Sequence, residues 1–520
     1  MMKKLLCIFV GLLTTLALLA EVNLLPMPQK VTEKSGEFCF TRKTWLYPDD
    51  TPGAKATVLR LQKYWHQKFG KKNPANTFLP EKGNYIAFYG DSRLAEGAYT
   101  IKMYPDRIEV RASSEEGFRY AEQTLKQLIV GKHTPMMDIE DWPVMSWRGL
   151  HFDDCRHFFG KQAVKDFIDR MAYYKMNVLH WHLTDDQAWR IEIKGFPELT
   201  TVGAVRPSSP KRGNRDEQDG VPYGPYYYTQ DDIREVVRYA HDKGVKVVPE
   251  FELPGHGYAA IAAYPYLACN PNGLPYRHPR LTWGIEEDVF CIGNDSTLSF
   301  IYAVLNQICD LFDSDVIHIG GDEAPRNRWR QCAKCQARKA AEGLDDEDAL
   351  QYWLVNRVAE YVAAKGKRII GWSEIYNESL PASAMLMSWQ DVSLGTRAAA
   401  SGHDVVMCPY THCYLDYSQQ IEDDTLEYFC NVLPLSKVYA FDPFAEAGNA
   451  EKSHIIGIQG NNWSEYTWSP SELMFKAFPR AAALAEIGWS NPKSRDLQDF
   501  IRRYDLLQPV GKPKVKHERK

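Results

Sequence analysis

Between residues 143 and 492 a short apolar run closed by polar or aromatic residues is followed by a stretch with apolar residues at helical spacing, and the cycle repeats until eight runs have passed. The runs are Gly149–Asp153, Asn177–Leu183, Val245–Phe251, Val316–Ile319, Arg368–Trp372, Ala384–Trp389, Asp404–Met407 and Ile455–Gln459. Segments such as Lys161–Tyr174, Asp231–His241, Leu298–Phe312 and Leu350–Ala364 supply helices between them. Continuous apolar runs belong to strands buried on both faces, as in a parallel sheet, and eight of them joined by helices predict a (β/α)8 TIM barrel.

Such a barrel builds its active site from the carboxyl ends of its strands. The residues just past the eight runs include Arg156, Asp185, His256, the pair Asp322-Glu323, Trp372, Trp389, Tyr414, Asp416, Trp463 and Glu465, so distant stretches of sequence converge on one mouth. Carboxylates and Arg make directional bonds to hydroxyls, and Trp faces offer apolar platforms for the C–H faces of a sugar ring. A carbohydrate is the ligand this mixture fits. A carboxylic acid walled by Trp would be desolvated, which raises its pKa and keeps it protonated for donation to a leaving oxygen. Adjacent residues in extended chain point to opposite sides, so Asp322 and Glu323 cannot easily present both carboxyls across one glycosidic bond as a nucleophile and an acid. His180 and His182 share one face of a strand, but Trp372 and Trp389 stand where further metal ligands would be needed, so the histidines read as core or supporting groups.

Ahead of the barrel, residues 21–142 read as a small α+β module. Ala98–Met103 and Arg107–Arg111 alternate around Pro105-Asp106 as a hairpin, and Glu116–Val130 reads as a helix. Residues 493–520 close the chain with a helix and a basic tail. Met1-Met2-Lys3-Lys4 followed by Leu5–Ala20 has the layout of a secretory signal, so residues 1–20 are expected to be removed and the mature protein to be periplasmic, cell-surface or secreted, without an integral membrane segment. A net charge of -5 supplies no basic field for nucleic acid. The 11 cysteines are scattered; Cys269 and Cys291 flank one loop-like insertion and are the candidate disulfide, and Cys332-x-x-Cys335 has no second CxxC or nearby His pair to complete a zinc set, which points to loop stapling.

The combination Arg148-Gly149-Leu150 with Asp153 and Arg156-His157-Phe158, then His182 to Arg190, Pro249-Glu250, Pro254-Gly255-His256 and His318-Ile319-Gly320-Gly321-Asp322-Glu323 resembles the glycoside hydrolase family 20 β-N-acetylhexosaminidases over nearly the whole mature sequence. The resemblance implies removal of terminal, non-reducing β-linked N-acetylglucosamine or N-acetylgalactosamine with retention, the substrate's acetamido oxygen acting as nucleophile through an oxazolinium intermediate. It implies Glu323 as general acid and then base, Asp322 as the group that orients the acetamido arm, and Tyr414 as its hydrogen-bond donor. Trp372, Trp389 and Trp463 would wall the sugar, Arg156, Asp416 and Glu465 would hold its hydroxyls, and Asp185 with His256 would support Glu323. No metal and no cofactor are implied. Glu252 stands where relatives often carry Asp, and Ala188 where Gly is common.

Two other functions stay open at this level: a catalytically silent glycan-binding protein on the same barrel, and a metal-dependent hydrolase on a TIM barrel. The natural glycan, the gluco or galacto preference and the choice between monomer and homodimer are not legible in the residues.

Overall fold

The computed structural model describes residues 22–70, 78–79, 83–420 and 431–507. The leader-like start through Ala20 and the basic tail from Pro509 lie outside the described residues.

The N-terminal module is a six-stranded sheet with two helices packed on it. The expected hairpin is Tyr99–Met103 against Arg107–Ala112, antiparallel, with Ile101 opposite Val110. In the second strand of that hairpin Ile108, Val110 and Ala112 alternate inward, the period of a half-buried strand. The following helix, Glu115–Leu128, starts where the Ser114 hydroxyl accepts the Gly117 N–H, with Glu115 and Glu116 in its first turn; both features favour a helix start. Its face of Phe118, Ala121, Leu125 and Leu128 joins Leu61 and Trp65 of helix Pro52–Phe69 in the module's core.

The eight expected runs are the eight strands of a closed parallel barrel: Trp147–Asp153, Val178–His182, Lys246–Glu250, Val316–His318, Arg368–Trp372, Met385–Ser388, Val405–Met407 and Ile455–Gly460. Closure is made by the last strand on the first, with Gly457 opposite Trp147 and Gly460 opposite Leu150. Every residue of the first two strands is buried, which is why they read as unbroken apolar runs. Helices Gly160–Tyr173, Gln230–Lys243, Asp295–Leu311 and Glu347–Ala363 lie outside the barrel where the periodicity placed them. Helix Gln230–Lys243 has a complete capping box between Thr229 and Asp232, and it stops at Gly244 in the left-handed conformation.

The module is bolted to the barrel through buried polar groups. Asp141 accepts from Trp489 Nε1 at 2.9 Å and from Lys175 Nζ at 2.9 Å, and Trp489, the last residue of barrel helix Arg480–Trp489, lies in the module's core. Arg148 on the first barrel strand donates to the Tyr120 hydroxyl. Helix Leu497–Leu507 then folds back, and Arg503 forms a buried pair with Glu486 at 2.7 Å. Among the described residues no helix is long and apolar enough to cross a membrane.

The disulfide expected between Cys269 and Cys291 is not formed in this structure. Both are free thiols, and Cys291 Sγ lies 3.7 Å from both Cys332 and Cys335, so no single partner is singled out for it.

Candidate active site

At the carboxyl ends of the strands lies a cavity of about 260 Å³ lined by Arg156, His256, Asp322, Glu323, Trp372, Trp389, Tyr414, Asp416, Tyr417, Trp463, Glu465 and Tyr466. Ten of these were anticipated from their places after the strands, and Asp185 stands directly behind them, 2.8 Å from Arg156 and 3.4 Å from His256. Together with Asp185, all eight strand ends contribute.

The acid pair is placed by an abrupt turn after Val316–His318. Gly320 and Gly321 have φ of 64° and 103°, and Glu323 itself has φ of 47°. At Gly320 a Cβ would fall 1.7 Å from a carboxylate oxygen of Glu252, so both the backbone angle and the space demand glycine there. Glu323 and His256, also at positive φ (48°), are non-glycine residues in a sparsely populated region, a form of strain that collects at functional sites. The extended geometry expected at Asp322-Glu323 is thereby corrected. The left-handed turn swings the second carboxyl back, so that both groups face the same imidazole: His256 Nε2 lies 3.7 Å from Asp322 and 3.5 Å from Glu323.

The two acids nonetheless differ. The Asp322 side chain is 12% exposed and the Glu323 side chain 40%, so one lies in the depth of the cavity and the other at its mouth. Burial pushes the Asp322 carboxyl up to about 7, with Glu374, Glu250 and Glu323 adding to the effect and His256 opposing it. Glu323 is held below its ordinary range, first by the His256 ring whose Nε2 stands 3.5 Å away. The expectation that Trp walls would keep the mouth acid protonated therefore falls on Asp322 instead, because the imidazolium stabilises the charged form of Glu323. For His256, burial alone would lower the pKa, but the carboxylates of Asp185 and Asp322 dominate and raise it well above the usual histidine range.

Behind His256 the charges form a chain. Asp185 takes Arg156 and His182, each at 2.8 Å, and is kept ionised against its burial, by Arg156 and His256 foremost. Glu250 is shared by His180 (3.1 Å), His318 (2.8 Å) and His182, and it accepts from Trp372 Nε1 at 2.9 Å. The paired histidines are thus supporting groups beneath the floor, and Trp372 is fixed in orientation by the same carboxylate.

Trp463 is crossed by the Arg156 guanidinium, 4.9 Å from its ring, and Trp389 lies nearly parallel to Tyr414 at 6.2 Å. Tyr414 and Asn461 form a parallel bridge that continues the pairing of the seventh and eighth strands past the barrel rim and brings Asp416 and Trp463 to the same wall. Asp322 Oδ1 and Asp416 Oδ1 are buried without a hydrogen-bond partner. Buried acceptors left this way carry a cost of about 1–3 kcal/mol each, which a ligand's N–H or O–H removes.

Sequence reasoning missed Glu374, whose carboxylate accepts from Trp389 Nε1 at 3.0 Å and whose charge acts on Asp322. It sits two residues past the end of the fifth strand, the signal that located its neighbours. Tyr417 and Tyr466 were missed because each is one residue from a residue already named, and spacing alone did not favour both. Outside the cavity wall, Cys269, Cys291, Cys332 and Cys335 form a group of donors close enough to share a cation. Asp185, Asp186 and His256 form another such group, already tied to one another and to Arg156.

The catalytic-domain model of glycosyl hydrolase family 20 matches residues 145–492, and the model of that family's domain 2 matches residues 21–142. A β-hexosaminidase of Porphyromonas gingivalis is 37% identical over 93% of this chain, which spans 62% of that protein's length. A β-hexosaminidase of Vibrio furnissii is 32% identical over 90% of this chain and 77% of its own. The structure of a family 20 exo-β-N-acetylglucosaminidase from Vibrio harveyi in complex with N-acetylglucosamine superposes with a TM-score of 0.81 at 30% identity, covering 93% of this chain and 76% of that one. With the two family models matching residues 21–142 and 145–492 and the barrel carrying its polar cavity at the strand ends, the chain belongs to glycosyl hydrolase family 20, the glycoside-hydrolysing β-N-acetylhexosaminidases.

Proposed function

We propose that this chain removes a terminal, non-reducing β-linked N-acetylglucosamine or N-acetylgalactosamine from oligosaccharides or glycoconjugates, with retention of configuration. The observation that carries this reading is the division within the acid pair, Asp322 deep in the cavity with an unpartnered oxygen and Glu323 at the mouth. A leaving group projects from the mouth while the acetamido arm points inward, so each acid meets a different part of the substrate.

In the first step the acetamido oxygen attacks the anomeric carbon as the bond to the leaving oxygen breaks, and Glu323 delivers the proton to that oxygen. The proton's store is His256, 3.5 Å from Glu323 and held protonated by its neighbouring carboxylates. A sugar covering Glu323 excludes water and disfavours its charged form, which draws the proton across. The oxazolinium that forms carries positive charge beside Asp322, whose ionised form is costly in the empty site and stabilised once the cation appears. This difference between ground and transition state is what lowers the barrier. Tyr414 donates its O–H to the acetamido oxygen, and the Trp walls with Arg156, Asp416 and Glu465 fix the ring. In the second step Glu323 takes a proton from the water that attacks the anomeric carbon. The two inversions leave the product β.

Incubation with 4-nitrophenyl β-N-acetylglucosaminide, followed by proton NMR from the first seconds, tests the reading. Release of nitrophenol with the β-anomer appearing first is expected, and α-first product or no release would end it.

His256 also makes the pH profile informative. Proton donation is lost as pH rises through the raised pKa of His256, so the alkaline limb of kcat/KM lies above the ordinary histidine range. Asp185→Asn removes a charge that favours the imidazolium, and the alkaline limb is expected to move down by roughly 1–2 units. An unmoved limb would remove His256 from the proton path.

Export is part of the same proposal, supported by the basic start and apolar run of residues 1–20.

A further inference from the structure

Four cysteines that the catalytic machinery does not use meet between the loop after the third barrel strand and the helices after the fourth. Their sulfurs all lie within 4.8 Å of one another, and Cys269–Cys335, Cys291–Cys332 and Cys291–Cys335 are each separated by 3.7 Å. A disulfide needs one pair at about 2.05 Å, whereas four sulfurs at about 2.3 Å from a central zinc form a tetrahedron with edges of about 3.8 Å. The three separations of 3.7 Å match that tetrahedron's edge, and the other three stay within 4.8 Å. Cys291, Cys332 and Cys335 are buried and Cys269 is half-buried, as suits a closed structural site.

The backbone around the sulfurs is arranged for negative charge. Gly293 lies flat against the Cys332-x-x-Cys335 turn, so close that a Cβ there would fall 2.2 Å from the Lys334 carbonyl carbon. Its N–H lies near the sulfurs of Cys291 and Cys335. Cys332 precedes helix Ala333–Ala341, whose N-terminus favours a thiolate. We propose that Cys269, Cys291, Cys332 and Cys335 bind one structural zinc ion as four thiolates. The motifs implied no metal because the ligands come as one close pair and two distant residues, which only the fold joins.

The site lies next to the catalytic turn. Phe290, one residue before Cys291, donates its N–H to Pro254 at 3.1 Å, packs where a Cβ on Gly257 would sit, and accepts from Trp329 Nε1 at 3.0 Å. Zinc would therefore tie the segment that carries His256 to the segment that follows Glu323. It would be a staple, and no step of the reaction passes through it.

The test is elemental analysis of the purified full chain, combined with intact mass and thiol titration before and after denaturation in chelator. About one zinc per chain is expected, with the four thiols protected until the metal is removed. Cobalt supplied in its place should give the intense visible absorption of a tetrahedral thiolate site. Cys332→Ser/Cys335→Ser should lose the metal, and its unfolding midpoint should fall by roughly 5–10 °C. If that variant does not fold, the metal content and cobalt spectrum of the unaltered chain still decide. A chain lighter by the hydrogens of two disulfides would overturn the proposal, as would four readily titrated thiols with no metal after zinc is supplied, or iron in zinc's place.

Discussion

Glu323→Gln is expected to lower kcat/KM on an oligosaccharide of β-linked N-acetylglucosamine by roughly 10³–10⁴-fold, with the unfolding midpoint unchanged. Gln has the same shape and can still reach His256 at the 3.5 Å position, but it can neither give the proton to a departing sugar oxygen nor take one from water. A nitrophenolate departs without protonation, so on 4-nitrophenyl β-N-acetylglucosaminide only the second step should suffer and the loss should be smaller. Steady-state kinetics on the two substrates side by side provide the check. Near wild-type turnover of the oligosaccharide, or equal losses on both, would remove Glu323 from the acid role. The comparison also separates catalysis from binding, because a silent glycan-binding barrel would show neither activity to lose.

Asp322→Asn is the second large effect, roughly 10²–10³-fold on 2-acetamido substrates, since on the proposed mechanism the variant loses the carboxylate that would face the developing oxazolinium. The variant should also lose the acid limb of the profile. In the native site Asp322 is pushed up to about 7 by burial, so its useful ionised form is lost as pH falls through that value. Asn has no proton to gain there. On a plain β-glucoside, where no oxazolinium can form, the already low activity should change little. A proportionate loss on both substrates would mean that Asp322 supports the fold of the mouth instead of the acetamido arm.

The barrel was legible because its strands are buried on both faces. Runs such as Arg368–Trp372 and Asp404–Met407 have no competing polar face to blur their limits, and the structure returns them within a residue or two. The convergence of Arg156, His256, Trp389 and Glu465 followed from the rule that strand ends share one mouth. Glu374 escaped notice although it obeys the same rule, because a carboxylate beside a short turn resembles a solvated one until Trp389 is seen donating to it.

Sequence by itself determined the order of the elements, the eight-strand closure and ten of the twelve residues lining the mouth, since these depend on burial pattern and chain position. Three things were decided only by tertiary structure. The left-handed turn at Glu323 depends on Gly320 and Gly321 beside Glu252, and it turns both carboxyls toward one imidazole. The charge states follow from that meeting, which holds Glu323 low and leaves buried Asp322 high. The gathering of Cys269 and Cys291 with Cys332 and Cys335 joins residues far apart in the chain, whose distances no local pattern records. In each case the deciding energy is an interaction between groups distant in sequence, and only packing brings such groups within ångströms of each other.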